Sequence, residues 1–230
     1  MSDRHVGEAA ATAAAGAALA GTVGSLVGLA VPAAAIGGLN GLISGWRGVY
    51  DWKTAKGVGA FALDSTWALG TTTAAVASHV VAAVRGEAGY SEPLSRRHNR
   101  HVYSRGFQPR RGFATTFGNV VNGAGDLSRS RRAKLVTDHE DVHVWQARTL
   151  GPVYPTLYVG WMIGAGVVGG ALWAIKHHDQ PFARVVESYA YYLNPFEYWA
   201  YSRDDHWPPQ GLSATIGPDR PMVRSFASFR

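Results

Sequence analysis

The residues best suited to chemistry lie in one short stretch, in which His139, Glu140 and His143 form the pattern H-E-x-x-H. On a helix, side chains four residues apart project from the same face, so the two histidines can hold one zinc ion. Glu140 would then lie beside the metal, where its carboxylate can take a proton from a coordinated water. Coordination lowers the pKa of water from about 15.7 toward ~7. The pattern therefore predicts a zinc site for hydrolysis.

The same residues allow a structural interpretation. Thr137 and Glu140 match a capping box, in which the glutamate carboxylate accepts a hydrogen bond from the Thr137 backbone N–H. One carboxylate cannot cap the helix and act as a base. In this alternative, His139 and His143 are ordinary surface residues of a helix beside a membrane.

A strand is predicted upstream of the motif, over Phe113 to Val121, and the turn-forming residues Asn122 to Asp126 close it. A strand, a loop and then a metal-binding helix is a zincin-like order. An edge strand there could hold an extended peptide substrate by strand addition. A plain structural hairpin strand is the alternative.

The motif and its surroundings resemble a group of bacterial membrane-associated proteins of the zincin-like metallopeptidase type. The matching residues are His139-Glu140-x-x-His143-x-x-Gln146, then Gly151-Pro152-x-Tyr154 and a hydrophobic segment, and the downstream motif E-x-x-A at Glu197 to Ala200. The resemblance covers Phe113 to about Asp205 and leaves out the first 85 residues. It implies that His139, His143 and Glu197 are zinc ligands and that Glu140 is the general base.

Glu197 also has a structural interpretation, because Asn194 and Pro195 are a good N-cap and first-turn pair and would make it the third residue of a helix. Glu187 and His206 are the substitute third ligands. We rank Glu197 first because its helix would present Tyr201 from the same face. Tyr201, or else Tyr198 or Arg203, could stabilise a developing oxyanion.

Composition indicates a membrane protein. The 230-residue chain is 47% hydrophobic and 17% charged, against a usual charged fraction of ~25%. It has no cysteine, which excludes disulfides, thiolate zinc sites and a cysteine nucleophile and leaves His, Asp and Glu as metal ligands. The N-terminus lacks the cationic start of a secretory signal peptide, so we expect the apolar segment that follows to be retained.

Three uncharged or nearly uncharged runs could cross a bilayer, for which about 20 residues suffice. They are Ala9 to Trp46, interrupted by Pro32; Gly57 to Val84, which contains Asp64 and His79; and Leu150 to Ile175. Pro32 predicts either a kinked helix or a hairpin. Glycines four residues apart predict faces for close helix packing and for homo- or hetero-oligomers; they are Gly24/Gly28, Gly37/Gly41/Gly45, Gly160/Gly164 and Gly166/Gly170.

Basic residues concentrate between Arg85 and Lys134, a segment of charge +8 in a chain of net charge +6. Such segments remain on the cytoplasmic side of a membrane and are attracted to anionic lipids. We do not expect a nucleic-acid partner, because the arginines accompany no recognisable reading element. The pairs His98/His101 and His177/His178 have no carboxylate at a useful spacing and are predicted to be solvated.

The proposed ligands conflict with a straight third run. One helix over Leu150 to Ile175 would measure about 39 Å and would separate His143 from Glu197 across the membrane. We therefore expect the run to reverse near Gly164-Ala165-Gly166, with Arg148 and Lys176 on the same side.

Together these features predict a mainly α fold: Gly/Ala-rich membrane helices and a small zincin-like α+β region with a short β-hairpin or edge strand before the H-E-x-x-H helix. The predicted divisions are membrane helices over 1–84, a basic region with short strands over 85–134, the metal region over 135–205 and a tail over 206–230.

The predicted function is that of a zinc metallopeptidase in the bacterial cell membrane, acting on a peptide or protein. The main alternative is a non-enzymatic membrane scaffold or subunit. A membrane-inserting glycine-zipper protein is a third possibility, supported by the first 46 residues.

Overall fold

The computed structural model describes residues 3–86, 88–110 and 112–220. Glu87 and Arg111 of the predicted basic region, and the end of the predicted tail from residue 221 onward, lie outside the described residues. The chain is mainly helical with one three-stranded sheet, as the sequence predicts in this coarse form. It divides into two compact units, Met1–Pro152 and Val153–Arg230.

The first unit begins with a helical hairpin. Helices α1 (Asp3–Ser25) and α2 (Ala30–Trp46) run antiparallel and are joined by a turn at residues 26–29. Pro32 does not break the run, because it lies in the first turn of α2, where a backbone N–H has no helical acceptor. The hairpin is therefore the correct choice of the two predicted forms, and its turn comes before the proline.

Small residues hold the two arms of this hairpin together. A Cβ added at Gly37, Gly41 or Gly45 would overlap the backbone or side chain of α1, at Gly16, Thr12 and Ala9 respectively. Close backbone approach is what a four-residue glycine spacing permits. That prediction is confirmed for this run, although Gly28 lies in the turn, with φ +74°, where an added Cβ would meet nothing described within 4 Å.

The second uncharged run is not one straight helix. It forms α3 (Ala55–Asp64) and α4 (Leu69–Arg85), which are bent by 86° at the intervening break. Thr54 caps α3 by accepting a hydrogen bond from the Gly57 N–H. Asp64 ends α3 and is fully buried, so much of this run is built into a protein core.

The sheet follows a short helix, α5 (Glu92–Ser95), and has the strand order β1-β3-β2. Strand β3 (Val120–Asn122) lies in the centre, parallel to β1 (His101–Val102) and antiparallel to β2 (Thr115–Phe117). Gly118, with φ +54°, and Asn119 form the two-residue connection between β2 and β3. A short β-hairpin forms here as predicted, but the single strand predicted over Phe113 to Val121 is wrong, because this turn divides it into β2 and β3. Asn122, predicted as a turn residue, is the last residue of β3. Strand β2 is an edge strand.

The H-E-x-x-H motif lies on a continuous helical segment over residues 130–150. It consists of α6 (Ser130–Lys134), a π-helical turn (Leu135–Glu140) and α7 (Asp141–Leu150). Val136 and Val144 pack against Val102 and Val121 of the sheet in one hydrophobic core. This contact fixes the rotation of the helix about its axis.

The second unit contains one long helix and a shorter segment packed against it. Helix α8 (Val153–Lys176) is unbroken. The chain then returns along it through α9 (Phe182–Glu187), a π-helical turn (Ser188–Tyr192) and α10 (Pro195–Arg203). The Cβ of Tyr189 packs on Gly169, and the Trp161 indole N–H donates to the carbonyl of Tyr189.

The predicted reversal at Gly164-Ala165-Gly166 is wrong, since α8 runs straight through these residues. Glycine lowers helix stability by only about 1 kcal/mol, which an otherwise strongly apolar helix tolerates. The reversal falls instead at the polar residues 177–181. Lys176 therefore lies at the far end of α8 from Val153, and Arg148, expected to share its side of a membrane, is a buried residue of α7.

Two helices are long and apolar enough to cross a membrane, the α1 stretch His5–Ser25 and α8. Helices α3 and α4 would meet the same criterion only if counted together despite their bend. Of the predicted packing glycines in α8, Gly166 and Gly170 meet the returning segment, whereas nothing described lies within 4 Å of a Cβ added at Gly160 or Gly164.

Candidate metal centre

The two histidines of the motif face the same way and are buried. The Nε2 atoms of His139 and His143 lie 3.3 Å apart, and their rings are nearly perpendicular, with centroids 5.0 Å apart. His139 is the last residue but one of the π-helical turn, and His143 lies in the first turn of α7. π-Helical turns are rare and frequently occur at functional sites. The predicted projection of both histidines from one helix face is confirmed.

Gln146 orients His143 from one turn further along the same helix. Its Oε1 atom lies 2.8 Å from Nδ1 of His143, and its side chain is buried. An amide oxygen is an acceptor, so Nδ1 carries the proton and Nε2 presents its lone pair. Hydrogen bonds of this kind commonly set the tautomer of metal-binding histidines.

Glu140 points toward the sheet. Its Oε2 atom accepts a hydrogen bond of 2.7 Å from the Thr116 hydroxyl on edge strand β2, and the residue is buried. The capping-box alternative is wrong, because the helical segment begins at Ser130 and Thr137 lies inside its π-helical turn. Instead, the Thr137 hydroxyl lies 3.1 Å from Oδ1 of Asp138.

Glu197 is the third residue of α10, as its position after Asn194 and Pro195 predicts. Asn194 caps the helix by accepting a hydrogen bond from the Phe196 N–H. The Tyr158 hydroxyl of α8 donates to Oε1 of Glu197 over 2.6 Å. Tyr154, singled out with the motif, packs edge-on against Phe196, with ring centroids 5.2 Å apart.

His139, His143 and Glu197 form a buried group that could hold a metal ion. Each offers one ligand atom, and these atoms all lie within 4.8 Å of one another. Glu187 and His206, the substitute third ligands, are not part of this group. Within the described residues no other group of three or more metal-ligating side chains meets this criterion.

The candidate oxyanion stabiliser Tyr201 follows Glu197 by one helical turn and is buried. Its ring belongs to a cluster with Tyr192, Leu212 and Trp207. The Tyr198 hydroxyl donates to the carbonyl of Arg220. The catalytic role assigned to Tyr201 stays a prediction.

One of the histidines predicted to be solvated is fully buried. His101 lies in β1, with Nε2 3.0 Å from the Ser44 hydroxyl and Nδ1 3.3 Å from the Tyr90 hydroxyl. Burial, and then the neighbouring His79 and Arg47, hold the pKa of His101 well below 6.5. Its strand lies beside central strand β3, which the histidine spacing does not reveal. His98 and His178 are exposed, as predicted.

Comparison with known proteins gives no match: no family model, curated protein or solved structure matches the chain. A functional assignment therefore depends on the geometry of the site.

Sequence reasoning missed the roles of three residues around the candidate ligands, namely Gln146, Thr116 and Tyr158. Gln146 could have been found, because it is three residues after His143 and thus on the same helix face. Thr116 and Tyr158 are 24 and 39 residues from their partners, and no local pattern links them.

Proposed function

We propose that this protein is a metal-dependent hydrolase of peptide bonds, with zinc as the metal and His139, His143 and Glu197 as its ligands. The observation that carries the proposal is the 3.3 Å separation of the two imidazole Nε2 atoms. Two zinc–nitrogen bonds of about 2.05 Å at the tetrahedral angle place their nitrogens about 3.3 Å apart. The two histidines thus have the spacing that a shared zinc ion requires.

The chemistry of the ligands supports the same choice. Two histidines and a carboxylate are a set used by catalytic zinc sites, which keep a fourth position for water or substrate. Zinc bound there would supply Lewis-acid activation, lowering the pKa of water toward ~7. Gln146 would hold the orientation of His143, and the Tyr158 hydroxyl that of Glu197.

Glu140 is the general base in this proposal. Its neighbour Thr116 donates to Oε2, which keeps the carboxylate in one rotamer on the helix that carries both histidines. Glu140 would accept a proton from the attacking water as oxygen adds to the peptide carbonyl carbon. It would return that proton to the leaving nitrogen as the C–N bond breaks. Tyr201 is retained as the proposed oxyanion stabiliser.

A peptide substrate fits the position of the edge strand. Strand β2 carries Thr116 and has β3 on one side only. An extended peptide could add to its other side by backbone hydrogen bonds. Because Thr116 contacts Glu140, a peptide bound along β2 in this way would lie close to the proposed base.

We propose that the protein acts at a bacterial cell membrane, with the basic region of residues 85–134 on the cytoplasmic side. Support comes from α8, of whose most apolar stretch only 6% is buried within the protein. So exposed an apolar helix is unfavourable in water and favourable in lipid.

The proposal is tested by metal content and peptide cleavage. Wild-type protein purified in detergent should contain about one zinc ion per chain, measured by inductively coupled plasma mass spectrometry. His139→Ala and His143→Ala should each lose this zinc. Glu140→Gln should keep it and no longer cut a proteome-derived peptide library, which wild-type protein should cut to yield new amino termini.

Exposed His178 offers the matched control. His178→Ala should keep both zinc and cleavage. Stoichiometric zinc in the double variant His139→Ala/His143→Ala would refute the ligand assignment. Zinc retained in wild-type protein without any cleavage would refute the hydrolase and favour the non-enzymatic alternative.

A further inference from the structure

The end of the α1–α2 hairpin presents an apolar surface. Leu26, Val27 and Val31 are 82%, 72% and 81% exposed. No charged residue occurs between Glu8 and Arg47. Water would disfavour this surface by about 25 cal/mol for each Å² of apolar area, so an apolar medium is its favourable surrounding.

The N–H groups of the turn residues have hydrogen-bond partners within the hairpin. The N–H groups of residues 26, 27, 28 and 29 all donate within the hairpin, to the carbonyls of Val23, Gly24, Ser25 and again Gly24, over 2.8 to 3.3 Å. A backbone donor without a partner costs several kcal/mol in hydrocarbon. These four N–H groups therefore need no water as an acceptor.

The hydroxyl groups of the hairpin are satisfied in the same way. Thr22 donates to the carbonyl of Ala18 over 2.8 Å, and Ser25 donates to that of Thr22 over 2.7 Å. Such bonds to the helix's own backbone let hydroxyl side chains enter an apolar medium. Both side chains face outward near the turn.

The other end of the hairpin has the composition of a membrane–water interface. Glu8 accepts two hydrogen bonds from Arg97, of 2.6 and 2.8 Å, and one from the Trp52 indole N–H. Trp46 is exposed at the same end. Tryptophan is enriched where hydrocarbon gives way to headgroups. The hairpin therefore has a polar, aromatic base and an apolar tip.

The length of the two helices limits how deep in a bilayer the tip of the hairpin can lie. Ala9 to Ser25 and Ala30 to Trp46 are 17 residues each, or about 26 Å of helix, whereas the hydrocarbon core is about 30 Å thick. The turn residues 26–29 also lack a polar side chain that could rest among the opposite headgroups, and the neighbouring Ser25 hydroxyl is bonded to the helix backbone.

We infer that the α1–α2 hairpin enters the hydrocarbon of a lipid bilayer tip first and ends within it, so that both of its ends stay at one membrane surface. This differs from a single crossing by α1, which its length alone would allow. The glycine contacts to α2 hold α1 in the hairpin, and a lone crossing would lose them. The inference does not depend on the metal proposal.

The depth of the tip can be measured because the chain has no cysteine. Full-length protein carrying Val27→Cys or Val31→Cys is labelled with an environment-sensitive fluorophore and reconstituted into vesicles of phosphatidylcholine and phosphatidylglycerol. Val6→Cys, exposed near the base of the hairpin, is the matched control. Both tip labels should lose fluorescence to lipids carrying nitroxides deep in the acyl chain, and iodide in the water should not quench them. The Val6 label should respond to iodide.

Three outcomes would overturn the inference. Quenching of the tip by iodide added outside the vesicles would show that the tip stays in water, and quenching only by iodide trapped inside would show a full crossing. Protection from both iodide and lipid nitroxides would show a second copy of the chain or another protein covering the tip. Zinc content should equal that of wild-type protein in every variant, so failure here is distinguishable from failure of the metal proposal.

Discussion

At the scale of single residues, the site depends on side chains that orient the candidate ligands. His143 shows this most clearly, because Gln146 lies 2.8 Å from its Nδ1 atom while its Nε2 atom faces His139. Loss of such a supporting hydrogen bond typically weakens metal binding by about 10- to 100-fold.

We therefore expect Gln146→Ala to lower zinc affinity by about 10- to 100-fold, measured by competition with a chromogenic chelator. Gln146→Glu should bind zinc at least as tightly as wild-type protein, since a carboxylate accepts the same Nδ1–H bond more strongly. Equal affinity of the Ala variant and wild-type protein would show that Gln146 does not support the ligand.

A second residue-scale prediction concerns His101, whose pKa is lowered by burial. The folded state keeps it neutral, whereas the unfolded chain protonates it near pH 6.5. The unfolded state thus binds more protons, and the free energy of unfolding should fall as pH drops below about 6.5, by up to about 1.4 kcal/mol per pH unit.

Chemical unfolding of the detergent-solubilised protein at pH 7.5, 6.5 and 5.5, with chelator present to remove metal effects, would measure this slope. His101→Gln should flatten it by about one proton. His178→Gln, at an exposed position, should leave it unchanged. An unchanged slope in His101→Gln would contradict the assignment.

At the scale of elements, the spacing of glycines decides how closely helices meet. A Cβ at Gly41 would overlap the backbone of Thr12, whereas one at Gly7 on the same hairpin would meet nothing within 4 Å. Close helix packing therefore requires a glycine at position 41 but not at position 7.

We expect Gly41→Ala to destabilise the protein by about 1–3 kcal/mol through overpacking. Gly7→Ala should be neutral or stabilising by up to about 1 kcal/mol, because alanine favours the helix. Thermal unfolding in detergent would compare them. Equal melting temperatures for the two variants would contradict the packing described for the hairpin.

In the long helix α8, glycines do not interrupt the helix. The sequence predicts an interruption at Gly164-Ala165-Gly166, yet the helix continues through these residues. With Glu197 as the third ligand, the sequence alone would require this helix to reverse at these glycines. That reversal is not needed, because the chain reverses after Lys176 and returns Glu197 to Tyr158, near the start of α8.

At the scale of the whole molecule, distant parts of the first unit meet in one buried polar network. Asp64 accepts two hydrogen bonds of 2.8 Å from Arg148, and these side chains are 2% and 1% exposed. The Tyr50 hydroxyl and the Asn119 amide also donate to Asp64. Arg148 lies in α7, so this network anchors the helix that carries His143.

Breaking one side of this pair should be costly. We expect Arg148→Met to lower the free energy of unfolding by about 3–5 kcal/mol, because it leaves Asp64 buried without its partner. The double variant Asp64→Leu/Arg148→Met should be less destabilised than Arg148→Met alone. Thermal unfolding of wild-type protein and these two variants would test this, and a double variant as unstable as Arg148→Met or less stable would contradict the coupling.

The local sequence indicated many of the elements and two of the candidate metal ligands of this protein. H-E-x-x-H places two histidines on one face because helical periodicity is local, and the cap of α10 follows from Asn194 and Pro195 for the same reason. The β-forming stretch before the motif was also recognisable locally, although its turn lies at Gly118-Asn119 and not at the predicted residues Asn122 to Asp126. The coarse fold class, mainly helical with a small sheet, could thus be predicted from neighbours along the chain.

Only the tertiary structure decided the rest. Whether the first run is kinked or paired depends on contacts between α1 and α2, and whether His101 is solvated depends on β3 and on Ser44, which is 57 residues away. Likewise, the sequence ranks Glu197 above Glu187 and His206 without excluding them, and packing of the returning segment on α8 brings Glu197 to Tyr158. Burial and long-range hydrogen bonds arise from residues far apart in the chain, which no local pattern encodes.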